Sequence, residues 1–232
     1  EKRKIEAWIV QISSCFFFFF CLCFCFFFQA EDGIRDRLVT GFRRVLFRSY
    51  PQSIVDRMIE LGLFGATIST EYGGLGLSAT TYASIVERIS AVWMSVSGLF
   101  NSHLIMAAAV QRFGTERQKN HYLPRFASGE LRGGIGLTEP DCGTDLQGIR
   151  TQAVGEDDHY VVNGAKTWIT NSAEGGILAV LVKTDPRAEP AYRGMSLLLI
   201  EKGPGFTVVR KLDKLGYKGI DTAELLFEDC KV

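Results

Sequence analysis

Neither charge is in excess: 26 Lys and Arg side chains balance 26 Asp and Glu, for a formal net charge of zero. A nucleic-acid binder carries a basic surplus or a basic stripe, and the chain has neither. Metal ligands are scarce as well. His103, His121 and His159 stand singly, whereas a zinc site draws on clustered ligands at short spacing. Four of the six cysteines (Cys15, Cys21, Cys23, Cys25) fall in one apolar run, and Cys142 and Cys230 lie far apart without a C-x-x-C partner. No metal is implied, and the histidines are read as structural or surface residues. What remains is 47% apolar and 22% charged, the composition of a soluble globular protein, and long enough for one large domain or two small ones.

The first segment has no charged residue between Trp8 and Phe28. Its length would suit a membrane span of about 20 residues, and Lys2, Arg3 and Lys4 ahead of it would suit a signal peptide. Composition argues against both, because spans are built on Leu, Ile, Val and Ala and this run is almost entirely Phe and Cys. From Gln29 to Arg48 no helical or strand period is sustained. The segment resembles translated sequencing-adapter read-through. Residues 1–49 are therefore expected to be non-native and are set apart from the fold, and the remainder is expected to have no membrane anchor.

From Tyr50 the pattern changes. Ile54, Val55, Met58, Ile59 and Leu61 recur at helical spacing between Pro51 and Gly62. Tyr82, Ile85, Val86 and Ile89 predict a second amphipathic helix, Val96 to Phe113 a more buried third with Gly114 as its stop, and Gln118 to Phe126 a short fourth. Near Leu131 the period switches. Strands are predicted over 134–137, 149–154, 159–162, 166–170, 177–183, 195–201, 206–212 and 223–227. Asn163-Gly164 reads as a two-residue hairpin turn between the third and fourth of these, since a type I′ turn needs φ > 0 at both central residues. The expected fold is α+β: an all-α domain over 50–130, then an antiparallel β-barrel or sandwich over 131–232.

Three stretches invite a chemical reading. Gly73-Gly74-Leu75-Gly76 follows a helix and lacks the third glycine of a dinucleotide fingerprint, so a tight interhelix turn is the better account. Leu137-Thr138-Glu139-Pro140-Asp141-Cys142-Gly143-Thr144-Asp145 leaves a strand with two hydroxyls and bends twice. Such a loop can offer N–H groups and hydroxyls to an anion, although Asp- and Gly-rich turns are common on structural grounds alone. In Lys166-Thr167-Trp168-Ile169-Thr170-Asn171, Trp168 and Thr170 share one face of a strand and could wall a flat cofactor and bond its edge. A lone strand Trp is more often core or interface.

Taken together and in order, Tyr72-Gly73-Gly74-x-Gly76, Leu137-Thr138-Glu139-Pro140 with Gly143-Thr144-Asp145, Asn163-Gly164-x-Lys166-x-Trp168-Ile169-Thr170-Asn171, Arg210 to Gly216 and Asp221 to Leu225 resemble the acyl-CoA dehydrogenases. The resemblance spans essentially all of residues 50–232. It implies a helical domain, a β domain and a C-terminal four-helix bundle, with the bundle lying beyond Val232. It implies FAD held along Ile135, Leu137, Thr138 and Thr144. Thr138 would bond the isoalloxazine edge, and Thr144 would touch the pyrophosphate and the neighbouring acyl-CoA. Trp168, Ile169 and Thr170 would cover and bond the flavin on the face away from substrate. Ser69 stands where a proline is usual, and Asp141-Cys142 replaces a commoner pair.

The implied reaction is α,β-dehydrogenation of an acyl-CoA thioester. It needs a carboxylate to take the α-proton, hydrogen bonds to the thioester carbonyl and a flavin to accept the β-hydrogen. The family's base is a glutamate of the C-terminal domain, so no catalytic residue is assigned within this chain, and neither Glu139 nor Asp145 is read as one. The supplied chain is accordingly expected to be inactive. Electron transfer flavoprotein is the expected acceptor, a homotetramer the expected assembly of the full-length enzyme, and cytoplasm, or mitochondrial matrix in a eukaryote, the expected location. A flavin monooxygenase or a nitroalkane-oxidising enzyme of the same fold is the alternative.

Overall fold

The computed structural model describes residues 50–232, so the reading of residues 1–49 lies outside the described residues. The chain first forms three helices: α1 (Gln52–Glu60), α2 (Ala79–Phe113) and α3 (Glu116–Ala127). Helix α1 buries Val55 and Met58, three apart and on one face. Between α1 and α2 the glycine block is an interhelix turn. Gly73 and Gly76 are left-handed, with φ of 80° and 59°, and a Cβ on Gly74 would meet the Ile68 carbonyl oxygen at 2.2 Å. Helix α2 breaks at Trp93 (φ −155°, ψ 97°), so the two helices expected from Tyr82 and from Val96 are one run bent between them. Thr115 and Gln118 form a reciprocal capping box at the start of α3, which satisfies two donors that a helix start leaves open. Gly114 stops the helix as expected, in an extended conformation (φ −60°, ψ 150°). Its missing side chain matters for close approach, since a Cβ would sit 2.7 Å from the Val110 carbonyl oxygen.

Seven strands follow: β1 (Gly133–Gly136), β2 (Gln152–Glu156), β3 (His159–Thr170), β4 (Ile177–Lys183), β5 (Met195–Glu201), β6 (Phe206–Lys211) and β7 (Thr222–Lys231). They form one curled sheet ordered β1-β4-β2-β3-β7-β6, with β5 on β4. Most pairings are antiparallel, as expected, but β1 and β2 each run parallel to β4, so the sheet is mixed.

One turn is corrected. Asn163-Gly164 is no hairpin: β3 is continuous through it, and the turn lies at Asp157-Asp158, where Glu156 pairs with His159. Gly164 instead marks a bulge against β7, between the Val162 and Gly164 pairings. It has φ +146°, and a Cβ there would lie 2.6 Å from Thr151 Cα. Glycine is required by a close crossing of β3 and the start of β2, and this reproduces the sequence signature of a turn.

The apolar core has two main parts that share a wall. Phe64, Leu99, Phe100, Met106 and Phe126 fill the helical part, joined by Ile177 and Ala179 of β4. Leu178, Val180 and Val182 of the same strand face Val162, Ile169, Leu225 and Phe227 inside the curled sheet. Alternation along a strand sends neighbouring side chains to opposite faces, so β4 serves both. Polar bonds also cross from helices to sheet. His103, fully buried, has Nε2 3.1 Å from the Phe126 carbonyl oxygen, and its Nδ1 accepts the Gly133 N–H at 3.4 Å. Asn171 Nδ2 donates to Leu99 O (2.8 Å) and Ser102 Oγ (2.7 Å) on α2.

Candidate flavin-binding face

Two segments singled out in the sequence meet at the end of β1. The backbone N–H of Thr167 donates to the Thr138 carbonyl oxygen at 2.9 Å, which brings Thr138 beside the Trp168 to Thr170 end of β3. This bond is made at a second bulge, where the pairing of β3 with β7 shifts between Lys166 and Ile169. Trp168 sits in the bulge with φ +59°. That region is unfavourable for a bulky side chain and persists only where the surroundings impose it. The residue is 61% exposed although it lies on the sheet.

The remaining candidates fall into three groups. Leu137 and Ile169 are buried, in separate apolar clusters, so only their backbones are free to meet a ligand. Ile135 is half-buried and Thr170 partly exposed. Thr144 is exposed, in a loop fixed by the Glu139–Cys142 bridge, by Cys142 Sγ donating to Asp145 O at 2.6 Å and by Asp145 Oδ1 accepting the Gln147 N–H at 3.2 Å. No hydrogen bond joins the Thr144 side chain to Thr138 or Trp168 among the described residues. The hydroxyls of Thr138, Thr144 and Thr170 make no hydrogen bond among the described residues.

Sequence reasoning passed over the pair that holds this corner. Glu139 and Lys166 are both buried and form an ion pair at 2.8 Å, with side-chain exposures of 6% and 0%. Glu139 also accepts the Arg150 N–H (2.6 Å) and the Thr151 N–H (3.0 Å), and Lys166 Nζ donates to Leu137 O at 3.0 Å. Burial raises the Glu139 pKa, but the bonds from Lys166, Thr151 and Arg150 outweigh it and leave the carboxyl below the usual range. Burial lowers the Lys166 pKa, opposed by Glu139. A signal was present in the sequence: a Lys that is the sole Lys, Arg, Asp or Glu of its strand, and a Glu just after another strand, each need a partner if buried.

One hollow borders this corner and a second lies apart from it. One, of about 200 Å³, is lined by Glu139, Pro140, Asp141, Arg150 and Gly164. The other, of about 220 Å³, is lined by Tyr50, Lys211, Lys214, Asp221 and Thr222. There Lys214 donates to Ile220 O (2.7 Å) and Thr222 Oγ1 (2.8 Å), and burial lowers its pKa to about 8. Neither hollow includes Thr138, Trp168 or Thr170. The exposed Trp168 side chain suits one side of a flat ring system.

A helical domain ahead of a curled mixed sheet is the arrangement of the acyl-CoA dehydrogenase fold. Sequence comparison agrees over nearly the whole described chain. The acyl-CoA dehydrogenase N-terminal domain matches residues 40–130 and the middle domain residues 134–230, the first span opening inside the segment set apart above. The chain belongs to the acyl-CoA dehydrogenase family. It is 41% identical to the mitochondrial isovaleryl-CoA dehydrogenase of Pongo abelii over 174 residues, covering 74% of this chain and 41% of that protein. A crystal structure of an acyl-CoA dehydrogenase from Geobacillus kaustophilus superposes with a TM-score of 0.74 at 41% identity, over 80% of this chain and 49% of that one. An acyl-CoA dehydrogenase from Bacillus anthracis complexed with FAD gives 0.70 at 34% identity, over 78% and 30%. The chain thus spans less than half the length of these relatives.

Proposed function

We propose that residues 50–232 form the flavin-holding part of an FAD-dependent acyl-CoA dehydrogenase. The observation that carries this reading is Trp168: a residue with a large apolar ring, left 61% exposed on a backbone in a costly conformation, has a purpose if it faces another flat ring. Thr138 and Thr170, with unspent hydroxyls on either side of the Thr138–Thr167 contact, would bond the edge of the isoalloxazine. Thr144 would meet the pyrophosphate and the neighbouring acyl-CoA. When bound, FAD supplies the acceptor for the β-hydrogen of the thioester. The residues here would orient the ring and shield one face from water.

Within this reading, neither nearby carboxylate takes the α-proton. Both Glu139 oxygens accept hydrogen bonds and its pKa is held low, the opposite of what a base poised near neutral pH needs. Asp145 caps a short turn through Oδ1. We place the base outside residues 50–232. The relatives' names support an acyl-CoA substrate. Electron transfer flavoprotein as acceptor, a homotetramer, and a cytoplasmic location (matrix in a eukaryote) belong to the same proposal. Helix α2 is long and apolar enough to cross a membrane, a test that core helices also pass.

Two measurements test the proposal. Trp168→Ala should weaken FAD retention by the reconstituted chain and shift the flavin absorption band as the ring becomes solvated. Unchanged flavin content with an unshifted band would remove Trp168 from the site. Butyryl-, octanoyl- and isovaleryl-CoA added anaerobically should leave the flavin unbleached, since loss of a general base alone costs about 10²–10⁴ in rate. Bleaching near the rate of a full-length relative would put the base within this chain, with Glu139 and Asp145 the first to mutate.

A further inference from the structure

We propose that the buried Lys166–Glu139 pair is a positioning device: it sets the bulge that turns Trp168 outward and fixes Thr138 beside it. The geometry of the corner supports this reading. Lys166 Nζ reaches across from β3 to the Leu137 carbonyl (3.0 Å) and the Glu139 carboxylate (2.8 Å). It therefore grips the chain on both sides of Thr138. One residue further along β3, the Thr167 N–H donates to Thr138 O at 2.9 Å. A regular β3 would point that stretch of backbone at β7, but the β7 register is interrupted between Lys166 and Ile169. Trp168, in the interruption, takes its left-handed φ of +59°. Glu139 is in turn held by the Arg150 and Thr151 N–H groups, which anchors the grip to the segment entering β2.

A pair this deeply buried is a weak source of stability, because desolvation offsets most of the attraction, and apolar replacements of similar volume are often tolerated. Its value lies in geometry: an ammonium with three donors can satisfy a carbonyl and a carboxylate on the same loop at once, and no aliphatic side chain can. Lys166 and Glu139 therefore act on the flavin only through Thr138 and Trp168. The purpose assigned to the grip rests on the flavin reading; the grip itself does not.

The test uses the 232-residue chain labelled with 5-fluorotryptophan. The chain holds three Trp, and loss of one fluorine resonance in Trp168→Phe assigns Trp168. In Lys166→Met/Glu139→Leu, which leaves no lone buried charge, the Trp168 resonance should move and broaden while that of Trp93 stays in place. The FAD dissociation constant should rise at least about tenfold. Should the double variant fail to fold, Glu139→Gln, which keeps the shape but turns an N–H toward the Arg150 N–H, should shift the same resonance in the same direction. A folded variant with an unmoved Trp168 resonance overturns the proposal, and so does a moved resonance with unchanged FAD affinity. If the unsubstituted chain takes up no FAD, the flavin reading fails instead, and a moved Trp168 resonance still establishes the grip.

Discussion

At the scale of single residues, the buried polar groups separate by what they are paired with. His103 is held neutral in the helical core: burial drives its pKa down to about 4, with the Phe126 carbonyl pulling the other way. The unfolded value is near 6.5. A folded pKa below the unfolded one means that the stabilising contribution is complete above about pH 6.5 and is lost as pH falls through 4. The loss amounts to about 3 kcal/mol. His103→Gln, whose amide can still donate to Phe126 O, should remove that component. Urea-unfolding midpoints measured between pH 7 and 4 should fall less steeply in the variant, and parallel slopes would contradict the assignment. The sequence offered His103 as a structural or surface residue, but it could not say that this residue joins α3 to β1. That role depends on two backbone groups, which no side-chain pattern records. Glu139 and Lys166 were equally visible as residues and equally unreadable as a pair, being 27 positions apart in the chain.

At the scale of elements, the strands and helices expected from periodicity are nearly all present, because their patterns are local. β4 and β5 fall on the predicted residues. The error at Asn163-Gly164 has a physical cause. A glycine is demanded both by a positive-φ turn and by a close backbone crossing, and one residue cannot distinguish them. The parallel pairings of β1 and β2 with β4 were unreadable for a related reason, since they depend on where the chain returns. The structural account of Gly164 makes a firm prediction. Gly164→Ala combines a backbone conformation costing roughly 1–3 kcal/mol with a Cβ 2.6 Å from the Thr151 backbone. It should lower stability by at least that amount in chemical denaturation. Gly143→Ala, where nothing lies within 4 Å, should stay within about 0.5 kcal/mol. Equal effects at the two positions would contradict the crossing.

At the scale of the molecule, the order of an α domain and a β domain was legible from the switch in period near Leu131, but their union was not. A Cβ on Gly98 of α2 would fall 1.6 Å from the Tyr217 hydroxyl, and one on Gly219 would meet the Trp93 ring at 2.4 Å, so the loop ahead of β7 is seated directly on the bent helix. Asn171 reaches α2 from the end of β3. The candidate face, at the Thr138 to Thr170 corner, therefore stands on a junction that both halves build. The strand that both cores use carries a consequence for motion. Ile177 to Val180 have both faces covered and are bonded along both edges, so no partial opening of either half releases their amides. In deuterated buffer these protons should exchange only through global unfolding and share one opening free energy. The amides of α1 and of the outermost strand β6 should exchange earlier, through local openings. Amides in β4 that exchange as fast as those of β6 would mean that the two halves open independently.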